Sequence, residues 1–387
     1  MGAVEKSGRA FGVVVITLIA VATIPDAIFV VLAAVRHTER QHARALGPLL
    51  GLALALVPVV PLALGYAWLG RYDPRPRGAL LRALGWGATV APALAIAFEW
   101  GAQELTPWPL RIQVGVVAPF VEEGAKGLFV LLLVWFGRRE LSGFLDALTF
   151  AGLAGVGFAF TENILYLAAA FNGTARTGSA SPTINGAVGL GATFVMRCLI
   201  SPFAHPLFTS FTGVGVGIAV VSTRRAVRIL APVAGYLCAV VGHLSWNSSL
   251  VAGPLGFVLV YAAVMLPAVA GVVLMLLFAR RGVRRTLTDS LRDAAARGYL
   301  PAMDIGWVVD LTARRRAQRF AREEAGEAAE RTMRDYQRTA AEFGVLHARY
   351  LRGTPPPDAA ARAQEYVARI GTLRRRIAFP GQVVFTR

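Results

Sequence analysis

The chain of 387 residues is 55% hydrophobic and only 16% charged, and its mean hydropathy is +0.54. This composition excludes a soluble globular protein of this length and predicts a multispanning membrane protein. The net charge of +17 would suit a nucleic-acid partner, but the arginines lie between apolar segments and in the last hundred residues, as in cytoplasmic loops. We therefore expect the lipid bilayer, and no nucleic acid, as a partner.

Eight apolar segments are long enough to cross a bilayer, which takes about 20 residues of helix. They lie near residues 11–34, 47–69, 79–101, 115–136, 145–171, 188–221, 229–251 and 254–279. The first is predicted to be a retained span, because it is too long for the apolar part of a cleaved signal peptide. The sixth contains Pro202 and Pro206, which predict a kink or a break. The predicted fold is an all-α polytopic bundle of about eight spans.

Arginine in the loops predicts the orientation of the bundle. The arginines at residues 71–82, 138–139 and 224–228 fall on the same side as the arginine-rich C-terminal tail, and this side is predicted to be the cytoplasm. Three arginines at residues 36–44 fall on the opposite side, so the orientation of the first span stays open.

The composition changes after residue 282, where the chain becomes charged, alanine-rich and periodic like a helix. This change predicts two domains, a transmembrane bundle over residues 1–282 and a basic helical cytoplasmic tail over residues 283–387. The sequence "GTPPPD" predicts an interruption before a last helix, and the tail is predicted to be a helical hairpin. Arginine runs at residues 314–316 and 374–376 either contact anionic lipid headgroups or form solvated faces. His347 is predicted to lie on the surface.

Four consecutive apolar segments carry polar residues, which are costly in hydrocarbon and therefore indicate function. They are Glu122, Glu123 and Lys126, then Glu162 and Asn163, then Arg197 and His205, and finally His243 and Asn247. Lys126 lies three and four residues from the two glutamates, so it can contact either on one helix face. Three of these polar residues, Glu122, Glu162 and His243, lie about eight to ten residues from the same end of their spans, roughly 12 to 15 Å deep. The spacing predicts one shared site.

Two further acidic residues, Glu99 and Asp146, lie nearer the ends of their spans and are expected to face water.

Histidines and carboxylates inside a membrane favour metal chemistry. Two imidazoles and one carboxylate can form a zinc site with an open position, and a further glutamate can take a proton from the attacking water. This is the chemistry of peptide hydrolysis. The motif H-E-x-x-H is absent, so the ligands have to come from separate helices. The spacing leaves other interpretations open: a buried ion cluster that joins helices, and for Arg197 either a structural role or a contact with substrate backbone.

Four motifs follow one another on successive segments: "EEGAK" at 122–126, "GFAFTEN" at 157–163, "HPLFT" at 205–209 and "HLSWN" at 243–247. Over residues 115–250 this set resembles the PrsW family of intramembrane metalloproteases, distant relatives of the CAAX prenyl endopeptidases. The resemblance implies a protease of the bacterial cell membrane that cuts a membrane-anchored protein, such as an anti-sigma factor.

The resemblance also implies residue roles. Glu122 or Glu123 would be the general base and Lys126 would orient the glutamate pair. Metal ligands or water-positioning groups would be Glu162, His205 and His243, with Zn²⁺ as the implied cofactor, and Asn247 would donate to the developing oxyanion. Glu162 stands where the prenyl endopeptidases carry a histidine, so this position departs from that branch. The sequence leaves open whether the reaction uses zinc or proceeds without a metal.

Two functions of other classes compete with the protease. A transporter or proton-coupled channel would also place charges in its spans, but it predicts an internal repeat, which the sequence lacks, and charges strung along the membrane normal. A catalytically inactive scaffold would not need the glutamates and histidines. The sequence therefore favours a protease that cuts its substrate near the outer leaflet.

Overall fold

The computed structural model describes residues 14–18, 39–69, 76–106, 108–136, 141, 143–173 and 186–381. Throughout these ranges the ordered elements are helices, and no strand occurs among them. The predicted all-α fold is confirmed.

The chain divides into two compact units, and the boundary falls between Met275 and Leu276, inside a continuous helix. The helices of the first unit are α1 (Glu39–Leu69), α2 (Arg77–Leu105), α3 (Ala118–Phe136), α4 (Phe144–Asn172), α5 (Gly186–Phe194, continued by Val195–Ile200), α6 (Ala204–Val221), α7 (Arg225–Val251) and the start of α8 (Gly253–Ala296).

Six helical stretches of the described residues are long and apolar enough to cross a membrane. They are Leu46–Leu69, Arg77–Leu105, Phe144–Asn172, Gly186–Val221, Arg225–Val251 and Gly253–Ala296. These match six of the predicted segments and confirm a helical membrane bundle. Helix α3 is not among the six, because two glutamates and a lysine interrupt its apolar sequence. The predicted first span, residues 11–34, lies outside the described residues except for 14–18, so the count of eight stays a prediction.

The helices of the first unit contain several π-helical turns, which are wider than α-helical turns and often occur at functional sites. They are Trp86–Val90 in α2, Gln113–Val117 just before α3, Val195–Ile200 at the end of α5 and Tyr261–Met265 in α8. The helix then breaks between Ile200 and Ala204, where Pro202 lies, and Pro206 occupies the first turn of α6, where its missing N–H costs little. The predicted break at the two prolines is confirmed.

Helix α4 is the most buried of the six candidate spans, and neighbouring residues enclose most of its apolar part. Glycine allows this close packing: a Cβ on Gly157 would lie 2.1 Å from the carbonyl oxygen of Leu84, and one on Gly87 would lie 1.9 Å from that of Ala154. Because small residues let helices approach closely in membranes, α2 and α4 cross almost backbone to backbone. This contact fixes α4, and with it Glu162, in the bundle.

The second unit contains the end of α8, then Ala302–Asp304, α9 (Ile305–Val309), α10 (Leu311–Leu351) and α11 (Ala359–Arg374). Its core includes Leu291, Val308, Tyr336 and Ile370, one residue from each of four helices. Helix α10 bends at Gly326, which has a φ of 77°, and Nε2 of Gln318 then donates to Oε1 of Gln337 at 2.7 Å. Gln318 and Gln337 are separated by 19 positions in the chain, and on a straight helix they would lie about 28 Å from each other. Helix α10 is therefore folded into a helical hairpin.

Two polar contacts tie the second unit together. Buried Asp304 accepts hydrogen bonds from the Tyr336 hydroxyl and, at 2.6 Å, from Nε of Arg374. His347 is buried rather than on the surface, and its Nε2 lies 2.6 Å from Oδ2 of Asp293. The prediction of a surface His347 is wrong, because Phe343 and Tyr350 stack on the ring as the helices pack. The domain division at residues 282 and 283 stays a prediction.

Candidate functional site

Helix α3 places three ionisable side chains on one buried face. Glu122, Glu123 and Lys126 are all buried, and Glu123 and Lys126 have no exposed surface. The Lys126 ammonium lies 2.6 Å from Oε1 of Glu123 and 3.4 Å from Oε2 of Glu122, as the three- and four-residue spacing predicts. Nζ of Lys126 also lies 4.1 Å from the centre of the Phe158 ring on α4, a cation–π contact.

Both carboxylate oxygens of Glu123 have partners on neighbouring residues. Besides Lys126, it accepts a hydrogen bond from the Thr209 hydroxyl at 3.0 Å, and its Oε1 lies 3.0 Å from Nδ1 of His243. The carboxylate therefore connects α3, α6 and α7. It is suited to orienting other groups rather than to receiving substrate.

His205 is buried at the start of α6, directly after the helix break. Its Nε2 lies 2.5 Å from Oε2 of Glu162 on α4, and its Nδ1 lies 3.2 Å from Nζ of Lys126. Because a carboxylate accepts hydrogen bonds and an ammonium donates them, this environment favours the tautomer with the proton on Nε2. The lone pair of Nδ1 then points toward α3.

His243 is buried on α7 and its ring stacks on Phe208, with ring centroids 5.2 Å apart. The contact of Nδ1 with Glu123 favours a proton on Nδ1 and a lone pair on Nε2, which lies 3.8 Å from Oε2 of Glu122. The centroids of the His205 and His243 rings are 5.3 Å apart. Two imidazole lone pairs and the Glu122 carboxylate therefore face a common region.

Arg197, in the π-helical end of α5, lies beside Glu162. Its Nη2 donates to Oε2 of Glu162 at 2.5 Å, its Nε donates to Oδ1 of Asn163 at 2.9 Å, and its guanidinium lies over the Tyr166 ring. Three residues of α4 thus hold one arginine. Of the two roles that the sequence left open for Arg197, these contacts support the structural one.

Glu122, His205 and His243 could hold a metal ion. Each offers one ligand atom, these atoms all lie within 4.8 Å of one another, and all three residues are buried. Within the described part of the chain, no second group of this kind occurs. Two imidazole nitrogens and one carboxylate oxygen are a typical zinc ligand set, and the carboxylates on the opposite ring nitrogens are the usual outer partners of histidine ligands.

The charge of the cluster also fits a divalent cation. Three carboxylates, those of Glu122, Glu123 and Glu162, face two cations, Lys126 and Arg197, so one negative charge is left over when all are ionised. Glu99 on α2 interacts electrostatically with Glu162 and Lys126 and adds a second, and its Oε1 is buried with no hydrogen-bond partner among the described residues. Uncompensated negative charges at such a site are costly, and either a bound divalent ion or protonation of the carboxylates would remove this cost.

Two expectations about span ends are wrong. Glu99 is partly buried and lies within electrostatic reach of the site, because α2 packs on α4 through glycine. Asp146 is buried and accepts a hydrogen bond from the backbone N–H of Gly143 at 3.1 Å, which caps the start of α4. No sequence signal pointed to the proximity of Glu99 to the site, since this residue belongs to none of the four motifs.

Asn247 makes its side-chain hydrogen bond outside the cluster. Its side-chain amide donates to the carbonyl oxygen of Val114 at 2.9 Å, in the π-helical turn before α3. The other predicted site residues, Glu122, Glu123, Lys126, Glu162, His205 and His243, form one continuous set of contacts.

The fold and the site define a class: a polytopic helical membrane protein whose spans enclose a carboxylate–imidazole cluster able to hold a metal ion. The family profile of the PrsW family intramembrane metalloproteases matches residues 75–272, about half of the chain. The chain therefore belongs to the PrsW family and is a membrane metallopeptidase, as the four motifs predicted. No curated protein and no solved structure gave a match.

Proposed function

We propose that this protein is a zinc-dependent endopeptidase of the bacterial cell membrane that cuts a membrane-anchored protein, with an anti-sigma factor as the substrate. The arginine content of the loops supports a cytoplasmic location of the tail in this proposal. The observation that carries the proposal is the convergence of Glu122, His205 and His243, whose ligand atoms lie within 4.8 Å of one another. Membership of the metalloprotease family supports the same chemistry.

In this proposal Glu122, Nδ1 of His205 and Nε2 of His243 bind the metal. Glu162 and Glu123 hold the two rings through their opposite nitrogens, at 2.5 and 3.0 Å, and Glu123 acts only in this positioning role. A metal on Nδ1 of His205 would replace the 3.2 Å contact of this nitrogen with Lys126, which keeps its closest ion pair, with Glu123 at 2.6 Å. Glu122 is thus the carboxylate ligand of the metal, a role that the sequence analysis assigned to Glu162.

A zinc ion bound there would supply Lewis-acid activation of the attacking water and of the peptide carbonyl. The water oxygen forms a bond to the carbonyl carbon, the C–N bond breaks, and a carboxylate carries the proton of the water to the leaving nitrogen. We assign this transfer to Glu162. Its side chain is 18% exposed, the most accessible of the carboxylates in contact with the histidines, and its Oε1 has no partner among the described residues.

The metal content of purified variants distinguishes Glu122 as the third metal ligand from Glu162, to which the sequence analysis gave that role. Glu122→Gln is expected to lose bound zinc, and Glu162→Gln is expected to keep it and lose cleavage. If Glu162→Gln loses the metal and Glu122→Gln keeps it, Glu162 is the third ligand and Glu122 the general base. Glu104→Gln changes an exposed glutamate of α2 and is the matched control.

The function itself is tested by co-expression with single-span membrane proteins, anti-sigma factors among them, followed by immunoblotting for the cleaved product. Cleavage is expected with the natural sequence and with Glu104→Gln, and it is expected to be lost in His243→Ala and Glu123→Ala at equal protein abundance. Cleavage that persists in both variants would refute the proposed site.

A further inference from the structure

A cluster of arginines follows the last apolar turn of helix α8. Leu277 and Phe278 are 46% and 64% exposed, which suits contact with lipid. Arg281, Arg284 and Arg285 follow within seven residues and are all exposed. With Arg292, Thr288 and Asp289 they line a groove of about 320 Å³.

The arginines of the groove are poorly neutralised by the protein. Arg284 lies 3.7 Å from Asp310 and Arg292 lies 3.7 Å from Asp289, and all four of these side chains are largely exposed, so the pairs contribute little. Arg281 and Arg285 have no carboxylate partner among the described residues. The guanidinium of Arg281 lies 6.0 Å from the centre of the Phe278 ring, next to the apolar surface.

Along α8 the groove directly follows the apolar part of the candidate span. A helix rises about 1.5 Å per residue, so Arg281 lies about 5 Å and Arg285 about 10 Å beyond Phe278. The headgroup layer is roughly 5 to 8 Å thick on each side of the hydrocarbon, and a flexible arginine side chain can reach back by several ångströms. Arg292, about 21 Å beyond Phe278, lies outside this layer.

We propose that Arg281, Arg284 and Arg285 form a binding site for the phosphate of an anionic phospholipid in the leaflet next to the tail. Guanidinium groups bind phosphate oxygens through paired, charge-assisted hydrogen bonds, and spacings of three and four residues bring these arginines to one side of the helix. Basic clusters directly after a span are attracted to anionic lipid surfaces. The lipid would fix the depth of α8 in the membrane, and this role is independent of the metal centre.

The experiment measures lipid affinity of the full-length protein in a neutral detergent. Short-chain dioctanoyl phosphatidylglycerol is titrated, with zwitterionic dioctanoyl phosphatidylcholine as the lipid control. The test variant is Arg281→Gln with Arg285→Gln, which keeps Arg284 and its contact with Asp310. The control variant is Arg319→Gln with Arg352→Gln, which removes two exposed arginines of the second unit outside the arginine runs and the same amount of charge.

The natural sequence is expected to bind phosphatidylglycerol more tightly than phosphatidylcholine. The test variant is expected to lose about tenfold or more of this affinity, and the control variant to stay within roughly twofold. Equal losses in the two variants would show attraction by net charge alone and overturn the proposal. Equal affinity for the two lipids would also overturn it.

Inorganic phosphate distinguishes a lipid headgroup from a dissolved anion. If millimolar phosphate leaves phosphatidylglycerol binding unchanged, the lipid is the ligand. If phosphate alone binds as tightly as the lipid, the groove is a site for a soluble anion and the proposal is wrong. The melting temperatures of both variants are measured alongside, and the single variant Arg281→Gln replaces the double variant if the latter does not fold.

Discussion

Nδ1 of His243 lies 3.0 Å from Oε1 of Glu123, so the lone pair of this imidazole is on Nε2, the nitrogen that faces Glu122. The pair joins α7 to α3 and sets the tautomer of a proposed metal ligand. Lys126 and Thr209 hold the same carboxylate in place, so the orientation of the ring does not depend on a mobile group.

Replacing Glu123 by glutamine is expected to reduce cleavage by about 100-fold or more, because outer partners of metal ligands contribute 10- to 100-fold and the Lys126 ion pair is lost as well. Breaking this buried pair is also expected to lower the free energy of unfolding by about 3 to 5 kcal/mol. Rates of product formation and detergent melting curves measure the two effects. Cleavage at the natural rate would show that the contact with His243 has no role in the reaction.

Removal of the metal is expected to abolish cleavage. A membrane-permeant chelator should inactivate the purified protein, and stoichiometric Zn²⁺ should restore activity in the natural sequence but not in His205→Ala, which lacks a ligand. The assay compares product formation before and after dialysis, with metal content measured in each sample. Full activity at a metal content near zero would support a reaction carried out by glutamate alone.

Asn247→Ala distinguishes an oxyanion donor from a link between helices. Its amide hydrogen bond to the Val114 carbonyl is expected to contribute about 1 kcal/mol to stability. A donor to the oxyanion would contribute about 100- to 1,000-fold in kcat. Because the amide is engaged outside the cluster, we expect a loss of less than about tenfold in kcat. A loss of 100-fold at unchanged protein abundance would instead restore the role predicted from the motif.

Gly157→Ala is expected to destabilise the bundle, because its Cβ would lie 2.1 Å from the Leu84 carbonyl oxygen and α2 would have to move away from α4. Overpacking of this kind costs about 1 to 3 kcal/mol or more. The matched control is Gly101→Ala on α2, where a Cβ would have no atom within 4 Å. Melting temperatures in detergent are compared, and an equal effect of the two substitutions would contradict the close crossing.

The stability of the tail is expected to fall at alkaline pH. Burial, together with the hydrogen bond to Asp304 and its charge, raises the pKa of Tyr336 above 10.0. Its contribution to stability is therefore fully present below pH 10 and is lost as pH rises from 10 toward the raised folded-state pKa, by up to about 1.4 kcal/mol per pH unit.

Tyr336→Phe is expected to remove this pH dependence, and Tyr350→Phe, which changes an exposed tyrosine, is expected to keep it. Urea unfolding of the full-length protein, followed by circular dichroism between pH 8 and pH 11, measures the effect. Identical pH profiles for the natural sequence and Tyr336→Phe would show that the buried hydroxyl does not titrate in this way.

The sequence predicts the membrane class, the helical spans and the clustering of the polar residues, because each follows from local composition or from spacing along one helix. Lys126 contacts both glutamates as its i, i+3 and i, i+4 positions require. The break before His205 was also predicted, from two closely spaced prolines, Pro202 and Pro206, each of which lacks a backbone N–H for the helix.

The positions of Glu99 and Asn247 were not predictable in this way. They depend on which helices cross and how closely, and that is set by contacts between distant residues such as Gly157 with Leu84. The burial of His347 has the same origin, because Asp293, 54 residues earlier in the chain, supplies its partner. A sequence pattern shows which face of a helix is polar but not which neighbour that face meets.

The three non-helical residues between α5 and α6 let Arg197 and His205 reach the same oxygen of Glu162, although the two residues are eight positions apart. On an unbroken helix those positions would lie about 12 Å apart along the axis. Residues 201–203 therefore act as a spacer of fixed length. Deleting one of them would shorten the connection and shift His205 relative to Arg197 and the carboxylates, so this linker is expected to tolerate changes of residue type better than changes of length.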